Sequence, residues 1–130
     1  MEANDIVKSI VNVSVLLQDG KKSFYALLEE TGFYGSGSEI SEKDVARELL
    51  MNPAAVKYWL QFGEDNRGSG WRVFRTEDNV FHVANMVHGE FLQDSIFPDA
   101  ISSCACYIVL ELDFLKRVLG GDEEAKQRGY

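Results

Sequence analysis

The chain has 130 residues, close to the commonest size of one domain, so we expect a single domain over residues 1–130 with one hydrophobic core. Hydrophobic residues make up 45% of the chain and charged residues 26%, a balance typical of globular rather than disordered proteins. The net charge is −8, from 21 acidic and 13 basic residues without a basic patch, which argues against nucleic-acid binding because phosphate neutralisation needs clustered Lys and Arg. An acidic surface keeps a protein soluble and also suits a basic partner.

The sequence favours a protein of the cytoplasm. The first ten residues, MEANDIVKSI, place acids before any apolar run, which is unlike a secretory signal peptide. No window approaches the roughly 20 apolar residues of a membrane span. Two cysteines without an export signal indicate a reducing compartment.

The N-terminal part predicts two helices. Asn4 is suited to cap the first helix, whose apolar stripe consists of Ile6, Ile10, Val13 and Leu17. Residues 11–17 also alternate like a strand and are rich in β-branched side chains, so both interpretations stay open there. Asp19 and Gly20 end this element. The stretch 23–32 predicts a short second helix that buries Phe24, Leu27 and Leu28 and ends at Gly32.

Two more helices follow a Gly/Ser loop at residues 34–39. Ser41 is a predicted N-cap with Asp44 three residues later, and this helix is expected to bury Val45, Leu49 and Leu50. Asn52 and Pro53 end that helix and start the next, because Pro is tolerated at the first helical position. The fourth helix ends at Gly63, and its core side is expected to be Val56, Trp59 and Leu60.

After residues 63–70 the spacing of apolar residues changes from the 3.6-residue period of a helix to the two-residue alternation of a strand. Residues 71–75, 80–86 and 90–96 predict three strands joined by turns short enough for hairpins, and therefore an antiparallel meander. A last helix begins near Pro98 and ends at Gly120, and it is the obvious cover for one face of the sheet. Its predicted buried stripe is Ile101, Cys104, Ala105, Ile108, Leu112, Leu115 and Leu119. The expected fold is thus α+β, with a helical N-terminal half, a three-stranded meander, a C-terminal helix packed on the sheet, and a frayed tail at 121–130.

The two cysteines are predicted to be packing residues. Cys104 and Cys106 are about 200° apart around a helix, so they cannot easily turn toward one metal or toward each other. Zinc needs four ligands, and only His82 and His88 remain as further candidates, without ligand spacing. We expect Cys106 to be the more exposed thiol because it lies off the apolar stripe.

No residue pattern indicates a reaction. His82 is a half-buried strand histidine by its context, although a catalytic base is the alternative, and His88 is expected to be solvated in a turn. Nucleophile-elbow, metalloprotease, dinucleotide-binding and Walker patterns are absent from the sequence. Glu77 and Asp78 share a hairpin turn, where carboxylates are normally solvated.

The loop at 63–70 allows two interpretations. Asp65 and Arg67 pair locally and fix the entry of Trp71 into the sheet, or Glu64 and Asp65 face outward and meet a cation on a partner. Phosphate binding is disfavoured, because the order helix, loop, strand is the reverse of a phosphate-binding loop.

Three stretches together carry a family resemblance: SFYALLEETGFY at 23–34, SEKDVARELLMNPAAVKYWLQFGEDNRGSGWRVFR at 41–75, and DAISSCACYIVLELDFL at 99–115. Their order resembles small bacterial immunity proteins of polymorphic and contact-dependent growth inhibition toxin systems. The resemblance implies a cytoplasmic, non-catalytic protein without a cofactor or metal, which binds and neutralises one cognate toxin domain, commonly a nuclease. The acidic net charge would suit a basic nuclease.

On that interpretation, acids on loops carry the contact and an aromatic residue anchors it. The candidate partner-binding residues are Glu64, Asp65, Glu77 and Asp78, with Trp71 or Tyr34 as the anchor. The first alternative is an intracellular regulatory or scaffold module that binds another protein through its helical half without a toxin. The second is a small enzyme that uses Cys104 or His82.

Overall fold

A computed structural model describes residues 3–33, 40–64 and 70–119, and within them the predicted α+β fold is confirmed. Four α-helices precede a three-stranded sheet, and a fifth helix follows it. The elements are α1 (Ala3–Leu16), a 3-10 turn (Leu17–Asp19), α2 (Phe24–Glu30), α3 (Glu42–Met51), α4 (Pro53–Glu64), β1 (Trp71–Arg75), β2 (Phe81–Val87), β3 (Glu90–Phe97) and α5 (Ala100–Leu119). The tail predicted to be frayed lies outside the described residues.

Residues 11–16 belong to a helix, not a strand. The buried side chains of α1 follow helical spacing, with neighbours three and four residues apart on one face. They are Ile6, Val7, Ile10, Val11, Val13 and Ser14. The chain then turns at Gly20, which has φ 70° and donates its N–H to the Leu17 carbonyl at 3.1 Å. A glycine suits this left-handed conformation because it has no Cβ.

The junction of α3 and α4 follows the predicted signals. The Ser41 hydroxyl accepts the Asp44 N–H at 3.1 Å, and Pro53 begins α4. Val45 and Leu49 are buried as predicted, but Leu50 is not, since 66% of it is exposed. Leu50 follows Leu49 by about 100° around the helix axis, which places it on the solvent side.

The sheet has the order β1-β2-β3 with both pairs antiparallel, as predicted. Val73 and Val83 face each other across β1 and β2 and are fully buried, so their face is the inner face of the sheet. Phe74 and His82 pair on the opposite side, which we call the outer face. Helices α4 and α5 both pack against the sheet.

Helix α5 is buried on more than one stripe. Its described stripe residues are buried as predicted, apart from Ile101, which is half-buried. Five further residues are buried as well: Ser103, Cys106, Tyr107, Glu111 and Phe114. The reason is that α5 contacts α3 and α4 in addition to all three strands, so it lies between the helical layer and the sheet.

Trp59 of α4 packs against helices α1 and α2 in the N-terminal half. Its side chain is fully buried, and its Nε1 donates to the Val11 carbonyl at 2.9 Å, which links α4 to α1. Its ring meets those of Phe24 and Phe62 edge-on at centroid distances of 6.0 and 5.8 Å. Such edge-to-face contacts are favourable geometries for aromatic side chains.

Candidate functional site

The predicted acids Glu77 and Asp78 lie in the β1–β2 turn and are exposed. The turn is closed by Thr76, whose N–H donates to the Val80 carbonyl at 2.9 Å and whose hydroxyl donates to Asp78 Oδ1. This hydrogen bond to Thr76 lowers the pKa of the Asp78 carboxyl. The turn therefore presents two carboxylates to solvent on a fixed backbone.

The other two candidates within the described residues are Glu64 and Trp71. Glu64 is the exposed last residue of α4 and lines an open groove of about 470 Å³ between α4 and β1. Trp71 is half-buried at the start of β1, packed against the core. Because Trp71 and Arg75 are four strand residues apart, about 13 Å at about 3.3 Å per residue, Trp71 and the turn occupy opposite ends of β1. The structure does not bring Trp71 and the turn acids to one point.

Two other candidates, Tyr34 and Asp65, lie outside the described residues, as does the pairing of Asp65 with Arg67. Their roles stay predictions.

Both cysteines are buried free thiols, as expected of packing residues. Burial raises the pKa of Cys104 to about 12. Burial, the Glu42 carboxylate and a hydrogen bond to it raise the pKa of Cys106 to about 12. Cys106 is the more exposed thiol, as expected, but both are buried: 7% of Cys106 and 0% of Cys104 is accessible, and Cys106 lies where α5 passes Glu42 at the start of α3. Neither thiol has the depressed pKa of a nucleophile.

The two histidines lie apart. His88 is exposed and shares the β2–β3 turn with Gly89, both with positive φ (52° and 82°), as a two-residue hairpin loop requires. His82 is half-buried on β2, as predicted, and its ring stacks on Phe74 with centroids 5.1 Å apart and an angle of 2°. Within the described ranges, no group of three or more His, Cys, Asp or Glu is arranged to hold a metal ion.

The outer face of the sheet carries a cluster that the sequence did not predict. His82 Nδ1 lies 2.9 and 3.0 Å from the two carboxylate oxygens of Asp94, and Phe91 packs against Phe74 with ring centroids 5.1 Å apart. Ile96, the strand partner of His82, completes it. We call Phe74, His82, Phe91, Asp94 and Ile96 the outer patch. Phe91 is 45% exposed and Ile96 66%, so the patch offers apolar surface to solvent.

A β-bulge in β3 builds this patch. Val83 pairs with Ser95 but Asn85 pairs with Leu92, so Ala84 alone opposes both Gln93 and Asp94. If the same residues alternated regularly from Ser95 without a bulge, Leu92 would lie on the outer face and Phe91 on the inner one. The bulge instead sets Phe91 opposite Met86 on the outer face.

The chain around the patch carries more acidic than basic residues. Residues 76–99, which form β2, β3 and both hairpin turns, contain no Lys or Arg. They contain five acids: Glu77, Asp78, Glu90, Asp94 and Asp99. Arg72 also lies on the outer face, opposite Ala84, but it is half-buried and its Nε is fully buried.

A second exposed apolar surface lies at the end of α3. Leu50 and Met51 are 66% and 67% exposed, and Met51 lines a groove of about 540 Å³ between α1 and α3. Lys8 and Glu48 line the same groove with opposite charges. This surface therefore lacks the excess of acids found around the outer patch.

Comparison with protein-family models, with curated proteins and with solved structures found no significant match to this chain. Within the described part of the chain, no helix is long and apolar enough to cross a membrane.

Proposed function

We propose that this chain is a non-catalytic immunity protein that binds and neutralises a cognate toxin domain in the cytoplasm. The observation that carries the proposal is the outer patch, an exposed apolar cluster with four of its five residues in a stretch of chain that has five acids and no Lys or Arg. The toxin domain it suits is basic, as a nuclease domain is, because opposite charge steers the two proteins together.

The patch has the features of a preorganised interface. Its side chains are held by the Phe74–His82 stack, the His82–Asp94 contact and two antiparallel strand pairs, so little conformational freedom is left to lose on binding. Exposed Phe91 and Ile96 are suitable anchors, since a few large side chains usually carry most of an interface's binding energy.

The state of the reactive groups also supports a binding role. Burial keeps the thiols of Cys104 and Cys106 protonated at neutral pH, where a thiol nucleophile would need to ionise. His82 is held in place by the contact of its Nδ1 with Asp94 and by its flat stacking on Phe74, so its ring is a fixed part of the outer patch.

The direct test is growth rescue against the toxin domain encoded beside the gene for this chain. Cells that produce the toxin should survive when they also produce the wild-type chain, and the purified pair should bind. Asp94→Lys or Ile96→Asp should weaken binding roughly 30-fold, the loss expected from about 2 kcal/mol at a central contact. Asp113→Lys is the matched control, because it makes the same charge change at an exposed position of α5. A wild-type chain that neither protects cells nor binds any neighbouring toxin domain would refute the proposal.

The second candidate is a regulatory module that binds another protein through its helical half. The exposed Leu50 and Met51 beside the groove between α1 and α3 favour it. A Met51→Lys variant separates the two: it should protect cells as well as the wild type if the outer patch binds the toxin. If Met51→Lys abolishes partner binding while Asp94→Lys has no effect, the helical surface is the functional one.

A further inference from the structure

The carboxylate of Asp94 has unused hydrogen-bonding capacity at the surface. A carboxylate can accept about four hydrogen bonds, and His82 Nδ1 is a single donor to its two oxygens, at 2.9 and 3.0 Å. The Asp94 side chain is 42% exposed. A second donor can therefore reach this carboxylate from solvent without breaking the contact with His82.

Aromatic surface lies in the same cluster. His82 stacks on Phe74, and Phe74 packs against Phe91 with ring centroids 5.1 Å apart. Phe91 is the exposed ring of the three, while Phe74 and His82 are half-buried. His82 contacts the Asp94 carboxylate, and Phe74 contacts the Phe91 ring. The stacked pair of His82 and Phe74 thus joins an exposed carboxylate and an exposed aromatic ring in one surface.

Arginine is the side chain that fits both halves of this surface. Its planar guanidinium donates two parallel hydrogen bonds to a carboxylate and also stacks on aromatic faces, whereas the compact ammonium of lysine binds as a point charge. An anionic group is disfavoured, because residues 76–99, which supply four of the five patch residues, carry five acids and no Lys or Arg.

A second copy of this chain is a poorer occupant. Strand β3 is an edge strand, but it contains two acids, Glu90 and Asp94, and no Lys or Arg. Pairing two such strands would put four carboxylates on one ladder, and like charges across strands are destabilising.

We propose that the outer patch binds an arginine side chain of a protein partner, with the guanidinium on the Asp94 carboxylate and against the ring of Phe91. An aliphatic neighbour of that arginine packs on Ile96, which is 66% exposed. The inference deepens the proposed function, since the partner would be the toxin domain, but its test uses no toxin. The two ideas can therefore fail separately.

The test is a selection of random twelve-residue peptides, displayed on phage, for binding to the immobilised full-length protein. The expected result is enrichment of arginine over lysine, next to an aliphatic residue. A selection that yields no binders, or binders without arginine, would overturn the proposal.

The selected peptide is then measured by fluorescence anisotropy beside a version in which citrulline, the neutral isostere, replaces arginine. Citrulline should weaken binding to the wild-type protein roughly tenfold, as expected for losing a charge-assisted hydrogen bond. Replacing arginine by citrulline should change the affinity for the Asp94→Asn protein little. The Asp113→Asn protein should show the same tenfold loss as the wild type. Phe91→Leu keeps apolar bulk without the ring and should cost about threefold.

Two results would contradict this assignment. One is an equal citrulline effect in the wild type and in Asp94→Asn, since the arginine would then bind elsewhere. The other is a concentration-dependent dimer that dissociates when the peptide is added and is strengthened by Asp94→Asn, since the patch would then bind a second copy. Thermal unfolding of each variant checks that the fold is retained.

Discussion

Gly63 of α4 lies directly against Cγ1 of Val73 in β1. A Cβ added at Gly63 would overlap that methyl group and come within 3.1 and 3.2 Å of the ring of Tyr107 in α5. This one position thus brings α4, the sheet and α5 into contact. The sequence suggested that Gly63 ends a helix, but the structure shows that it is needed for close packing.

Gly63→Ala is expected to destabilise the protein by about 1–3 kcal/mol through overpacking. In an exposed helix, Gly→Ala would raise the free energy of unfolding by about 1 kcal/mol. The packing around Gly63 therefore decides whether the substitution stabilises or destabilises the protein. Urea denaturation of Gly63→Ala, Val73→Ala and the double variant measures the coupling. The cost of Gly63→Ala should shrink in the Val73→Ala background, and strictly additive costs would show that the two residues do not clash.

Trp59→Phe is expected to lower the free energy of unfolding by about 1–3 kcal/mol, because it removes one buried hydrogen bond to the Val11 carbonyl and leaves a cavity where the larger indole was. The indole N–H of Trp59 gives an independent measurement by hydrogen exchange. It should exchange only through global unfolding, since the ring is fully buried. Fast exchange of this N–H under native conditions would argue against the link between α4 and α1.

The raised pKa values of Cys104 and Cys106 predict that the protein loses stability at alkaline pH. Their folded-state pKa values of about 12 exceed the ordinary value of 9.0, so their contribution is complete below pH 9 and is lost as the pH rises toward 12. Wild-type stability should therefore fall more steeply from pH 9 to pH 11 than that of a Cys104→Ala/Cys106→Ala variant. Parallel curves for the two proteins would show that the thiols are not the cause.

The fold was largely predictable because its signals are local. The Ser41 cap, the Asn52–Pro53 junction and the change of apolar period after Gly70 each depend on residues close in sequence, and each is confirmed. The contact of Cys106 with Glu42 could not be predicted, because it depends on α3 crossing α5. That crossing is a tertiary contact without a local signal.

The outer patch was missed for a related reason. Sequence reasoning favours acids in turns, because turns are exposed. The exposed apolar residues of the patch instead lie in β3, an edge strand whose alternation is interrupted by the bulge. Gln93, the residue with φ 54°, is neither Gly nor Asn, so the sequence does not show where the bulge lies. Because the bulge takes up one residue, Phe91 lies on the face opposite to the one that uninterrupted alternation would give.

Gln93 gives the last prediction. At φ 54° a side chain costs roughly 1–2 kcal/mol, so Gln93→Gly should be neutral or stabilising and Gln93→Val destabilising by about 1 kcal/mol in urea denaturation. Deleting Gln93 should be tolerated, because Asp94 would then oppose Ala84 alone while Leu92 still pairs with Asn85 and Phe91 with Met86. The ring contact between Phe74 and Phe91, followed by nuclear Overhauser effects, should survive the deletion. If the deletion variant folds but loses that contact, the bulge is not a simple one-residue insertion, and the outer patch depends on the backbone at Gln93 itself.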